Sequence, residues 1–300
     1  MGWRQKRLPM QRGLMRDHRV MSHRFDQLDV FASAPFSGNP LAVVHDAAAL
    51  STDDMLRLTD WFDLSETTFL LPPDQPGADY RVRIFTPGRE LPFAGHPTLG
   101  TAAAWLTVGG VPADSDVVVQ QCGAGLVPIR RSGDRLAFAA PPLTRFGPVD
   151  DELLDERLQQ LGLTRSDVVA SSWIDNGPGW MGILLESAEA ALAVELPGGC
   201  LPGFDVGLVG SHPAGSECAI EVRGLFPDPN GQVREDPVTG SLNASVAQWL
   251  IGEGRLSESY VAAQGTALGR AGRVHVDQVG DDIWVGGVVH ERITGQLNVG

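Results

Sequence analysis

Residues 96–101 read HPTLGT and residues 236–241 read DPVTGS, and each hexapeptide leads into a segment that ends in Trp-Leu, at Trp105-Leu106 and at Trp249-Leu250. Each places a polar residue, a proline, two further residues, a glycine and a hydroxyl in the same order. Proline suits the first turn of a helix, where its missing amide hydrogen costs nothing, so each motif is expected to begin a helix. A duplicated unit would set both helix N-termini beside one cleft, aiming unpaired amide hydrogens and positive dipole ends at one point. Such a point suits a carboxylate. Two ordinary core helices could carry the same hexapeptides; it is their pairing that favours duplication.

The bulk properties agree with two units and one cleft. Three hundred residues exceed one compact core of ordinary size and are comfortable for two domains. The 36 glycines and 21 prolines imply many turns between short strands, and 43% hydrophobic residues describe a globular chain. A formal charge of -14 disfavours nucleic acid and anionic membranes as partners. The three cysteines, Cys122, Cys200 and Cys218, form no CxxC pair, so neither a disulfide framework nor a zinc ribbon is expected, and a cytoplasmic setting fits. No apolar run approaches the roughly 20 residues of a membrane span. The seven histidines are scattered without ligand spacing, so no metal is expected. There is no GxSxG, GxxxxGK or HExxH, and no GxGxxG that follows a strand and opens a helix.

Moving outward, Ser51 to Leu64 reads as a helix, with Ser51 and Asp54 as its start signal and Met55, Leu58 and Phe62 on one face. Residues 25–31, 40–45 and 80–85 read as strands. The Pro-rich piece 141–148, followed by an acidic amphipathic helix from Asp150 to Leu161, reads as a domain boundary. Residues 1–22, basic and without apolar periodicity, are expected to be a disordered extension or to precede the true start. The remaining division is 23–140, completed by a terminal strand at 290–300, and 141–289.

Four blocks carry a family resemblance: LDVFASAPFSGNPLAVV from Leu28, LSETTF from Leu64, RIFTPGRELPFAGHPTLGTA from Arg83 and EDPVTGS from Glu235. In order and spacing they closely resemble the signature blocks of the PhzF-like isomerases of phenazine biosynthesis, and the similarity spans roughly residues 25–300. The resemblance implies an α+β, diaminopimelate epimerase-like fold: two pseudo-symmetric domains, each a curved, mostly antiparallel sheet around a central helix, with the site between them. It also implies homodimers and no cofactor.

By that resemblance Glu66 matches the acid/base glutamate, with His96 and Asp236 as further catalytic positions and Gly95, Gly240 and Ser241 as substrate-binding ones. The implied reaction moves a proton between carbons of a small carboxylate resembling trans-2,3-dihydro-3-hydroxyanthranilate. From the residues alone, Glu66 could equally be a solvated group at a helix end, although Leu64, Phe69, Leu70 and Leu71 tilt it inward, where burial raises a carboxyl pKa towards neutrality. His96 or Asp236 could simply cap a helix. The related epimerases use two catalytic cysteines, and this chain has no thiol in the matching blocks. A non-catalytic carboxylate-binding protein and an amino-acid-type epimerase or racemase are the alternatives. Val238 and the run Leu242-Asn243-Ala244 depart from the phenazine enzymes' pattern, so a different pocket shape is expected.

Overall fold

The computed structural model describes residues 21–299, whose strands wrap two helices buried on almost every side. The chain runs β1 (Met21–Val30), β2 (Asn39–Val44), α1 (Thr52–Phe62), β3 (Thr67–Leu71), β4 (Tyr80–Thr86), β5 (Arg89–Leu91), α2 (Gly95–Thr107), β6 (Val117–Cys122), β7 (Gly125–Ser132) and β8 (Arg135–Ala139). It continues with β9 (Arg145–Gly147), α3 (Asp151–Gln160), β10 (Val168–Asp175), β11 (Met181–Leu185), α4 (Ala188–Ala193), β12 (Val206–Ser211), β13 (Ile220–Pro227), β14 (Val233–Asp236), α5 (Gly240–Gly252), β15 (Ser259–Gln264), β16 (Gly272–Val279) and β17 (Asp282–Val299).

Strand pairing repeats step for step. In the first half β1–β2 is antiparallel, β2–β3 parallel, β3–β4 antiparallel with β5 folded back on β4, β4–β6 parallel, and β6–β7–β8 antiparallel. The second half makes the same moves with β10–β11, β11–β12, β12–β13 with β14, β13–β15 and β15–β16–β17. The halves also close each other. β8 and β17 pair along one seam, the far part of β17 crosses to β1, and β9 crosses to β10. This is the α+β, diaminopimelate epimerase-like architecture expected from the sequence.

Sequence explains the two central helices. Leu99, Ala102 and Ala104 in α2, and Leu242, Val246, Ala247 and Trp249 in α5, are fully buried in one continuous core with Leu28, Val30, Leu41 and Phe138. A helix that is apolar all round belongs inside a fold. Each large side chain removed from water contributes about 1.5–3 kcal/mol. By contrast α1 is amphipathic, and its start is as read: Ser51 Oγ accepts from the Asp54 amide while Asp54 accepts from the Ser51 amide. It ends at Phe62 rather than Leu64, because Asp63 turns left-handed at φ 52°.

The expected N-terminal extension lies mostly outside the described residues. Met21 and Ser22, assigned to it, instead open β1 opposite Val299 and Asn298. Pairing with the distant β17 holds them in the ladder, which their local composition does not reveal. The Pro-rich piece 141–148 likewise contains a strand, β9.

Candidate active site

The first residues of α2 and α5 meet. Gly95 begins α2 and Gly240 begins α5, and each helix is 13 residues long. A Cβ on Gly95 would stand 2.9 Å from Gly240 Cα and 2.8 Å from Phe138 Cζ, so only glycines allow this approach. No side chain caps either helix, so the free amides of both first turns lie at the junction.

This geometry corrects the reading of the hexapeptides. They align His96 with Asp236, whereas the helices align Gly95 with Gly240 and His96 with Ser241. Neither proline starts a helix: Pro97 is third in α2, and Pro237 precedes α5. Each helix instead begins at the glycine where the two pack closely. Nor does His96 or Asp236 act as a cap, since His96 lies inside α2 and Asp236 ends β14.

Around the junction the remaining predicted residues converge. Glu66 sits immediately before β3, and its Oε2 lies 3.4 Å from His96 Nε2; neither atom makes a hydrogen bond. Burial holds the Glu66 carboxyl well above the usual range, and the negative charge of Asp236 adds to the effect. Burial also pushes His96 down to about 3, so its ring is neutral near pH 7. Asp236 arrives from the other half on β14 and is pushed up to about 6 by burial, against hydrogen bonds that favour its charged form. Those bonds come from Thr239 Oγ1 at 2.7 Å, Ser65 Oγ at 3.2 Å and Asn39 Nδ2 at 3.0 Å. Ser241 Oγ accepts from Trp180 Nε1 at 3.2 Å, and its carbonyl accepts from Asn176 Nδ2 at 2.9 Å.

Several supporting residues escaped the sequence reading. Gln264 donates to Thr239 Oγ1 and to the Asp236 carbonyl while accepting from the Thr239 amide and from Asn243, which fixes the turn from β14 into α5. Asn39 bonds to both halves. Ser65, Asn39 and Thr239 all stand in the quoted blocks, next to Glu66, Pro40 and Gly240, so position within those blocks was the available signal. Trp180 had none. Cys122, Cys200 and Cys218 are free thiols, and none bonds to these groups. Among the described residues no three His, Cys, Asp or Glu side chains cluster as a metal site, and no helix is long and apolar enough to cross a membrane.

The arrangement presents two buried carboxyls of raised pKa, a neutral imidazole and two helix N-termini at one place. A model of phenazine biosynthesis-like proteins matches residues 28–287. The chain belongs to this family. It is 35% identical over 260 residues to the trans-2,3-dihydro-3-hydroxyanthranilate isomerase of Pseudomonas aeruginosa, covering 84% of this chain and 89% of that one. It is also 33% identical to antisense-enhancing sequence 1 of Schizosaccharomyces pombe, over 92% of this chain and 99% of the relative. Among solved structures, a predicted epimerase from Pseudomonas aeruginosa superposes with a TM-score of 0.76 at 29% identity, over 92% of this chain and 99% of its own. The protein is thus a PhzF-family isomerase.

Proposed function

We propose that the protein isomerises a small cyclic carboxylate of the trans-2,3-dihydro-3-hydroxyanthranilate type, with Glu66 moving the proton. The observation that carries this reading is Glu66 Oε2, buried and unbonded beside neutral His96, in a carboxyl whose pKa is raised by burial and further by the charge of Asp236 from the other half. A carboxyl poised nearer neutrality can both take and return a proton. The substrate carboxylate binds at the N-termini of α2 and α5, against Gly95, Gly240 and Ser241, where the dipoles favour negative charge. Glu66 removes a proton from one carbon, the double bond shifts, and the same proton is delivered to another carbon, so the formula is unchanged. His96 and Asp236 orient the transfer.

The reaction uses no metal or organic cofactor in this proposal, and the enzyme works as a cytoplasmic homodimer, each chain dividing into domains 23–140 with 290–300, and 141–289. Proton NMR of trans-2,3-dihydro-3-hydroxyanthranilate with wild type and Glu66→Gln, both in excess chelator, tests it. Turnover by the wild type alone is expected. Equal turnover by both proteins overturns the role of Glu66, and no turnover by either overturns the substrate.

A second reading, an epimerase with Glu66 and Asp236 as opposed bases, draws on the raised pKa of both carboxyls and on their approach from different halves. Product chirality separates it from the first. A protein that only binds carboxylates would show ligand affinity indifferent to Glu66→Gln and no chemistry.

A further inference from the structure

Asn39 is fully buried between the two halves, and three polar atoms approach its amide nitrogen. Nδ2 lies 2.9 Å from the Val238 carbonyl oxygen, 3.0 Å from Asp236 Oδ1 and 3.3 Å from His96 Nδ1. The orientation of the amide is dictated by chemistry. Exchanging its nitrogen and oxygen would set a carbonyl against a carbonyl and a carboxylate, which repel. His96 Nδ1 therefore faces an amide nitrogen that cannot accept, so a proton on Nδ1 would meet no partner there, which favours the unprotonated nitrogen of a neutral ring. The ring proton then sits on Nε2, the atom 3.4 Å from Glu66 Oε2.

We infer that Asn39 is a positioning residue that holds His96 as its Nε2–H tautomer, and that it ties this choice to Asp236 and Val238 on the opposite half. His96 thereby presents a donor, not an acceptor, to Glu66, and cannot compete with it as a base at that atom. The kinetic side of this inference rests on the function proposed above; the tautomer itself does not.

The approach to Asn39 is built to keep it still. Asp29 accepts from the Ser37 and Gly38 amides at 3.2 and 2.8 Å and is met by Arg292 Nε at 3.3 Å. The Ser37 carbonyl accepts from the Ala271 amide at 2.9 Å, and Asn39 pairs with Val30 in the ladder. Asn39 Oδ1, in contrast, is buried without a partner. An apolar side chain would avoid that cost, so the amide is best understood through what its nitrogen does.

Two-bond proton–nitrogen correlation spectra of the full-length, 15N-labelled enzyme report the tautomer of each of its seven histidines. His96→Gln identifies the His96 signals by their loss. The wild type is expected to show a neutral His96 protonated at Nε2. Asn39→Leu, which removes the amide from Nδ1, should leave a mixture of the two neutral tautomers. In turnover, Asn39→Leu should lower kcat about 10- to 100-fold with KM changed less than about threefold, as misplacing a reacting group does. A wild-type His96 protonated at Nδ1 overturns the inference, as does an Asn39→Leu spectrum unchanged from wild type. If that variant fails to fold, the wild-type spectrum still decides. The expected tautomers in an enzyme that turns over no carboxylate would sink the proposed function and leave the inference standing.

Discussion

Glu66 immediately precedes β3 and Asp205 immediately precedes β12, and the ladders make the two positions equivalent: Thr67 pairs with Phe85 as Val206 pairs with Leu225, and Ala42 with Thr67 as Met181 with Val206. Burial raises both carboxyls, Asp205 to about 6. Their company differs. Asp205 feels the cations Arg89 and Arg157 and the anion Asp175, whereas the charge that acts on Glu66 is that of Asp236. Asp236 itself occupies the place held by Leu91 in the first half, since Glu235 pairs with Leu225 as Glu90 pairs with Phe85. The scaffold is duplicated but the placement of its buried carboxyls is not. The two carboxyls of raised pKa come from non-equivalent positions, which lets their environments differ.

The largest effect should fall on Glu66. Glu66→Gln removes the carboxylate and keeps the shape, and turnover of the dihydro-hydroxyanthranilate should drop by about 10²- to 10⁴-fold, the range of a lost general base. The melting temperature should not fall, because a buried carboxyl without a hydrogen bond at Oε2 is replaced by an uncharged amide. Retained turnover, measured by NMR on folded protein, would break the asymmetry at its centre.

Asp236→Asn comes next and acts through charge. Asp236 raises the Glu66 pKa, so the wild-type rate should climb with pH through a limb well above the ordinary carboxylate range, a limb that belongs to the pair. Removing the charge should move that limb to lower pH while the plateau falls about tenfold. Stability should respond with a definite sign. Asp236 titrates near 6 in the folded chain against 3.8 for an ordinary aspartate, so the fold holds the extra proton between those values. Its contribution is complete below about 4 and is lost as pH rises through about 6. Thermal melts across pH 4–7 should show this decline in the wild type and a shallower one in Asp236→Asn.

Gly95→Ala probes what the halves share. Its Cβ would lie 2.9 Å from the Gly240 backbone, which cannot yield as a flexible side chain could. A loss of about 1–3 kcal/mol is expected, read as a lower melting temperature, with a raised KM for the carboxylate substrate as the helix ends part. Unchanged melting and KM would mean that the glycines are not needed for the approach.

Much of this is legible in the sequence. The four blocks contain Glu66, His96, Asp236, Gly95, Gly240 and Ser241, and the capping box at Ser51 and Asp54 marked α1. The repeat was legible only in outline, because the hexapeptides match in sequence at an offset that the helices do not keep. Their order of residue types hides that Gly95, outside the first hexapeptide, is the true partner of Gly240. Asp205 and Trp180 could not be read, because each earns its place by burial against residues far along the chain. Asn39 lay in plain view between Gly38 and Pro40, yet an uncharged amide gives no local sign that it bonds to the opposite half.

The smallest predicted effect is the most discriminating one. Asp205→Asn alters the carboxyl that duplication sets opposite Glu66, and if catalysis followed the symmetry of the scaffold this variant would be as damaged as Glu66→Gln. The charges that act on Asp205 are instead those of Arg89, Arg157 and Asp175, and none of the residues placed around Glu66 is among them. We expect kcat and KM within about twofold of wild type, as for a site energetically independent of the reaction. A collapse of turnover in Asp205→Asn, with folding intact, would mean that both halves supply an acid from equivalent positions, and the division of labour between Glu66 and Asp236 would have to be given up.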